Sequence, residues 1–293
     1  MTITQVFNHS HTSVMGYFVG HTMAGLAVLL LGFSWSIKHP LRFLGRKSKY
    51  SLQIEKLLYW FELLEWGVIG GVGFLGALLE HNVPGGPHFR IYNETTHKFV
   101  ALNVWQHWTI YTAFSMAGVV GFLTRCKFHI PLGLDYLMFS LALFTEALLF
   151  YAHANRMSAL DKFSHHILLI PVCSGAVCSL LEVWHRNNPV LELFRNSVFI
   201  TQGTWFWQIA FMLFGPSRWD QSDPEIYIFT TLCYIWHYGS AVMFLASTYG
   251  IVYWVLWMLN GRRVKRIEEM EIQKFNQADA KTYTALLNGS DEE

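Results

Sequence analysis

Charge is what this sequence has least of. Asp, Glu, Lys and Arg make up 14% of its 293 residues, where a soluble domain carries about a quarter. That shortage excludes an ordinary water-facing surface. The charges also nearly cancel, 21 basic against 20 acidic for a net +1, so no direct nucleic-acid binding is expected. Cysteine is scarce too. Cys126, Cys173, Cys178 and Cys233 all fall in or beside apolar runs, where a free thiol behaves as a small hydrophobe and no disulfide framework is indicated. Residues 1–14 are polar and lack a basic n-region. No cleavable signal peptide is therefore expected, and the first apolar run serves as an uncleaved anchor.

What the chain has in abundance is apolar surface, with 53% hydrophobic and 16% aromatic residues. A helix needs about 20 mostly apolar residues to cross the hydrocarbon core. Seven stretches qualify, near 15–37, 57–80, 104–125, 132–153, 161–185, 190–214 and 226–259. The expected fold is an all-α, multi-pass, seven-transmembrane-helix bundle in contact with the lipid bilayer. A short polar N-terminal segment (1–14) precedes it and a tail (260–293) follows. Only "HANRMSALDK" joins the fourth and fifth runs, which reads as an antiparallel hairpin.

Direction follows from the bias of Lys and Arg toward cytosolic loops. One side holds twelve, from Lys38, Arg42 and Arg46 through Arg125 and Arg186 to Arg266; the other holds Arg90, Lys98, Arg156, Lys162 and Arg218. The N-terminus is then lumenal and the C-terminus cytosolic. The sequons at Asn8 and Asn93 fall on the lumenal side, as glycosylation acceptors should.

Once direction is assigned, each intramembrane polar residue acquires a depth, because a helix rises about 1.5 Å per residue. His21, Glu80, His107, Glu146, His153, Asp161, His165 and His237 then share a layer near the lumenal face, on the order of 15 Å thick. Within that layer Asp161 and His165 are four apart and Glu146 and His153 seven apart, so each pair shares a helix face. His166 must point elsewhere. An unpaired charge in hydrocarbon costs several kcal/mol, roughly, so such groups pair, face water or bind something. Imidazole with carboxylate suits a divalent transition metal such as zinc. The same groups could relay protons or simply hydrogen-bond between helices.

Glu62 and Glu65 form a second acidic set in the inner half, with Glu182 and Glu192 expected to pair with Arg186 and Arg195. Trp205 and Trp207 read as an interfacial aromatic belt. "VPGGPH" at 83–88 reads as a rigid turn.

Several of these pieces recur together elsewhere. Gly20-His21, "FELLE" at 61–65, Glu80 with "VPGGPH", "WQH" at 105–107, "EALLFYAH" at 146–153, "LDKFSH" at 160–165, "VLELFRNS" at 190–197, "QGTWFWQI" at 202–209 and "WHY" at 236–238 resemble the transmembrane protein 45 family along almost the whole chain. The resemblance implies a seven-helix fold in Golgi, endosomal and lysosomal membranes, with roles in membrane trafficking and innate antiviral defence. It carries over the eight outer-layer residues above together with Glu62 and Glu65. It demotes His81 and His166, and Asn155 stands where relatives have a second histidine. "FGPS" at 214–217 also departs from the family, in a loop.

The tail turns charged after Arg266 and is expected to end without fixed structure. Tyr283 and Leu286 fit a tyrosine-based sorting pattern that would dock on a sorting adaptor as an extended peptide. Three functions follow. The first is a non-enzymatic endomembrane protein that recruits protein partners. The second is a metal-dependent intramembrane lipid hydrolase, for which no serine or cysteine nucleophile with a matching base is evident. The third is a proton-coupled or metal transporter.

Overall fold

The protein is described by a computed structural model covering the backbone of residues 3–288 apart from 47, 49, 83–87, 127, 156 and 217, and side chains within 17–261 and at 269, 270, 272 and 273. Asn8, the core of the 83–88 turn and Ser290 lie outside the described residues or side chains, as do the side chains of Tyr283 and Leu286.

The apolar runs become seven helices: α1 Ile3–Gly45, α2 Ser51–Asn82, α3 Leu102–Arg125, α4 Leu134–Ala154, α5 Ala159–Glu182, α6 Pro189–Ile209 and α7 Ile226–Asn288. Between α2 and α3 a small antiparallel hairpin pairs β1 (Tyr92–Asn93) with β2 (Lys98–Phe99). Among the described residues, five helical segments are long and apolar enough to cross a membrane: Tyr17–Gly45, α2, α4, α5 and Ile226–Gly261. Helices α3 and α6 fall outside that set and carry Gln106, His107, Glu192, Arg195, Gln202 and Gln208. The protein is a multi-pass membrane protein. Its outer surface is correspondingly apolar, with Leu30, Trp60, Leu64, Leu79, Leu148 and Met243 all at least 60% exposed. In water such a surface would be an association hazard, whereas in a bilayer it is the solvated face.

The bundle packs α1 against α6, α6 against α5, α5 against α4, α4 against α3 and α3 against α2, while α7 lies against α1 and α6. Glycine sets the closest approaches. A Cβ on Gly118 of α3 would sit 2.1 Å from the backbone nitrogen of Gly70 in α2, and one on Gly25 of α1 would sit 2.8 Å from the carbonyl oxygen of Gly203 in α6. Where lipid supplies no hydrophobic drive between helices, this close backbone packing supplies much of the association energy.

The core has an outer cluster around Leu160, Leu168, Trp205 and Ile209, and an inner one around Trp35, Trp66, Phe139, Leu143 and Phe199. Trp205 is fully buried and donates its indole N–H to the Ser164 carbonyl at 3.1 Å. It is therefore a core residue, not part of an interfacial belt. Helix α6 ends in a π-helical turn, Ala210–Phe214. Two further differences concern the ends. Residues 3–14 continue α1, and the tail continues α7 without a break to Asn288, where loss of structure was expected. An extended docking peptide at 283–286 would have to unwind the last turns of that helix.

Candidate functional site

The intramembrane polar residues fall into two layers, and the contacts within each layer show that α1 to α6 alternate in direction. At one end the start of α1, the end of α2, the start of α3, the end of α4 and the start of α5 converge. His107 Nδ1 lies 3.2 Å from Glu80, and the His107 and His153 rings stand 6.1 Å apart, centroid to centroid. His153 and His165 follow at 6.3 Å, and His165 Nε2 meets His21 Nε2 at 3.3 Å. Asp161 completes the chain beside His165, its Oδ1 2.9 Å from Nδ1. The i, i+4 spacing of Asp161 and His165 thus brings the two together as a helix requires.

Two members of the expected set sit apart. Glu146 accepts a hydrogen bond from Gln202 Nε2 at 3.1 Å, and His237 Nε2 faces Gln208 Oε1 at 3.3 Å while packing edge-on to Trp205. Each thus finds a side-chain amide, so the eight residues do not form one centre. Among the described residues, no three His, Cys, Asp or Glu side chains are close enough together to hold a metal ion. Gln106, whose Oε1 lies 3.1 Å from His153 Nδ1, joins the layer without having been expected there. His81 is buried beside it, stacked on Phe89 at 4.2 Å and edge-on to Trp105 at 4.6 Å. His166 points away and stacks on Tyr151.

At the opposite end lies a belt of ion pairs. Arg42 of α1 bridges Glu62 of α2 and Glu192 of α6; Arg125 of α3 bridges Glu62 and Asp135 of α4; Arg186 closes on Asp135. Lys38 pairs with Glu65, which also accepts from the Trp35 indole at 2.7 Å. Arg195 lies 2.6 Å from Glu182, with its guanidinium 3.9 Å above the Trp35 ring. Glu192 therefore takes Arg42, where Arg186 or Arg195 was expected. Glu62 and Glu65, which lack basic neighbours in sequence, take partners from α1 and α3. The two layers are separated by the packed side chains of Phe139, Leu143 and Phe199. Beside the belt, a cleft of about 300 Å³ opens between Arg42, Arg46, Leu58, Tyr59 and Glu62.

Outside the membrane, exposed Asp220 accepts from the backbone N–H and hydroxyl of Ser222 at 2.9 and 2.7 Å, which holds its carboxyl below the usual range. Exposed Asn93 accepts from the backbone N–H groups of Thr95 and Thr96 in the hairpin turn. The four cysteines are free thiols.

These features sit in a sequence with distant kin. Residues 132–250 match a family of unknown function, DUF716. The match spans α4, α5, α6 and the first part of α7, and so includes Glu146, His153, Asp161, His165 and His237 but not His21, Glu80 or His107. The chain is also similar to human transmembrane epididymal protein 1, 24% identical over 52% of this chain and 58% of the relative. The rat protein of that name is 25% identical over 53% of this chain and 52% of its own length. Mouse transmembrane epididymal protein 1A is 21% identical over 81% of both chains. The chain thus spans little more than half the length of the human and rat relatives.

Proposed function

We propose that this is a seven-pass endomembrane protein, N-terminus lumenal and C-terminus cytosolic, that acts as a rigid scaffold recruiting partners through its cytosolic face and tail. The observation that carries the reading is the inner belt. All five of its carboxylates, Glu62, Glu65, Asp135, Glu182 and Glu192, stand in ion pairs with five bases drawn from α1, α3, α5 and α6 or their ends. A transported proton or metal ion would need a polar route from the histidine layer to Glu62 and Glu65. Instead those acids are neutralised and the way between is packed with aromatic and aliphatic side chains.

The basic groups of this layer fit the cytosolic side on the positive-inside rule. The likeness to the transmembrane protein 45 family supports residence in Golgi, endosomal and lysosomal membranes, with cycling through the plasma membrane, and work in trafficking or innate antiviral defence. Tyr283 and Leu286 would be read by a sorting adaptor. Imaging the tagged full chain beside Tyr283→Ala and a chain ending at Gly261 tests this. Both altered chains should move out of endolysosomal compartments, and an unchanged distribution overturns the sorting role.

A further inference from the structure

We propose that the cleft between the end of α1 and the start of α2 binds the headgroup of an anionic aminophospholipid, phosphatidylserine. The cleft holds about 300 Å³, with Arg46, Ser51 and Glu55 at its mouth and the less exposed Arg42 and Glu62 beneath them. The floor has no charge left to offer a ligand, because Arg42 is engaged by Glu62 and Glu192, and Glu62 by Arg42 and Arg125. The mouth does. Among the described residues, Arg46 and Glu55 take part in no ion pair, and both are exposed, so one guanidinium and one carboxylate stand open on the same cleft. Such a lining suits a ligand that carries both signs. A phosphodiester would pair with Arg46, whose planar fork matches its oxygens, and an ammonium would donate to Glu55. Ser51 opens the 32-residue α2, whose first turn holds no acidic residue, so the helix dipole adds to the attraction for the phosphate.

The position makes this ligand a lipid. Beside the polar lining stand Ile54, Leu58 and Tyr59, and Leu57, Tyr59 and Trp60 are exposed on the neighbouring surface of α2, so acyl chains leaving the cleft pass along an apolar face. The charge around this end favours a headgroup with a net negative charge. Ser48, which lies between Lys47 and Lys49 in the sequence, donates its hydroxyl to Asn260 Oδ1 of α7 at 3.2 Å. From there the α7 backbone continues directly into Arg262, Arg263, Lys265 and Arg266. Clusters of four or more bases beside a membrane helix attract anionic lipid. The serine headgroup supplies the ammonium that complements Glu55 and a carboxylate for this basic collar. Ethanolamine lacks the carboxylate, and glycerol lacks the ammonium.

Lipid binding is measured on its own, so its outcome is independent of the sorting role and of which end faces the cytosol. The purified full chain in detergent is titrated with dioctanoyl phosphatidylserine, phosphatidylglycerol, phosphatidylethanolamine or phosphatidylcholine, and native mass spectrometry counts the lipid retained per chain. Phosphatidylserine should bind about tenfold more tightly than each of the other three, the worth of one charge-assisted hydrogen bond. Arg46→Ala should weaken it about tenfold, and Glu55→Gln should bring phosphatidylserine down to the level of phosphatidylglycerol. Both side chains are exposed and neither belongs to the ionic belt, so both variants should fold. Arg218→Ala, altered in the loop at the opposite end of the bundle, should bind as the unaltered chain does. Soluble glycerophosphoserine, which has no chains to bury, should compete about tenfold less well than the lipid. Equal retention of phosphatidylserine and phosphatidylglycerol, undiminished binding by Arg46→Ala, or competition by glycerophosphoserine at the lipid's own strength would each overturn the proposal.

Discussion

Arg42 on α1 lies 2.5 Å from Glu192 on α6, and the same guanidinium pairs with Glu62 on α2, so one side chain ties three helices. Removing it leaves Glu192, only 2% exposed, with a buried and uncompensated charge. Arg42→Ala is expected to cost about 3–5 kcal/mol, the range for breaking a buried pair from one side. Arg42→Lys should recover part of the loss, because a single ammonium cannot span both carboxylates as a planar fork does. Thermal unfolding in detergent measures both, and an unchanged midpoint for Arg42→Ala would remove the belt from the account of stability.

The glycine contact between α2 and α3 yields a paired prediction. Gly118→Ala drives a methyl to within 2.1 Å of the Gly70 backbone, so the helices must separate. A loss of about 1–3 kcal/mol is expected, as for other overpacked contacts. Gly71→Ala, one residue from that contact and with nothing within 4 Å of its new Cβ, should be neutral or raise stability by up to about 1 kcal/mol through helix propensity. Unfolding midpoints of the two variants should therefore move apart.

Asn93 reports on sidedness. It is exposed in the β1–β2 hairpin, at the end of the bundle that carries the histidine layer. If that end faces the lumen, the full chain made in mammalian cells should shift in mobility on treatment with an N-glycosidase, and Asn93→Gln should lose a glycan. A glycan acquired only by a sequon engineered between α1 and α2 would reverse the proposed topology.

The Asp220 turn has a defined pH response. Hydrogen bonds from the Ser222 amide and hydroxyl lower the folded-state pKa of Asp220. A depressed carboxyl contributes order that is present above its usual range and lost only as pH falls through the depressed value. The turn should therefore persist under mildly acidic conditions. Amide exchange at Ser222 should stay slow at pH 5, and Asp220→Ala should speed it wherever the carboxyl is ionised, above its depressed pKa.

The helices were legible in the sequence because lipid demands long apolar runs; α2 to α6 appear near their expected bounds, while α1 and α7 run well beyond theirs. The outer layer was legible by depth, since residues near the same helix ends must share a level. Which of its members touch was not. His21 and His165 are 144 positions apart, and only the rotation of each helix about its own axis decides that they meet while Glu146 and His237 turn to Gln202 and Gln208. The partners of Glu62 and Glu65 were hidden for a related reason. Arg42 and Arg125 stand at helix ends and read as loop cations, but their long side chains fold back into the bundle to reach the acids. The burial of Trp205 was missed because aromatic content near a helix end does not reveal which face it occupies.

Helix α7 has 63 residues, about 95 Å by its rise, against about 30 Å of hydrocarbon to cross. The stretch from Arg262 to Asn288 alone measures about 40 Å, so Tyr283 is carried at the end of a mast and not at the headgroups. An adaptor that must touch lipid and peptide together would meet this signal only where the mast leans toward the bilayer or its last turns uncoil. On the proposed sorting role, the height of that mast, as much as the four letters at its tip, would set which adaptor can reach them.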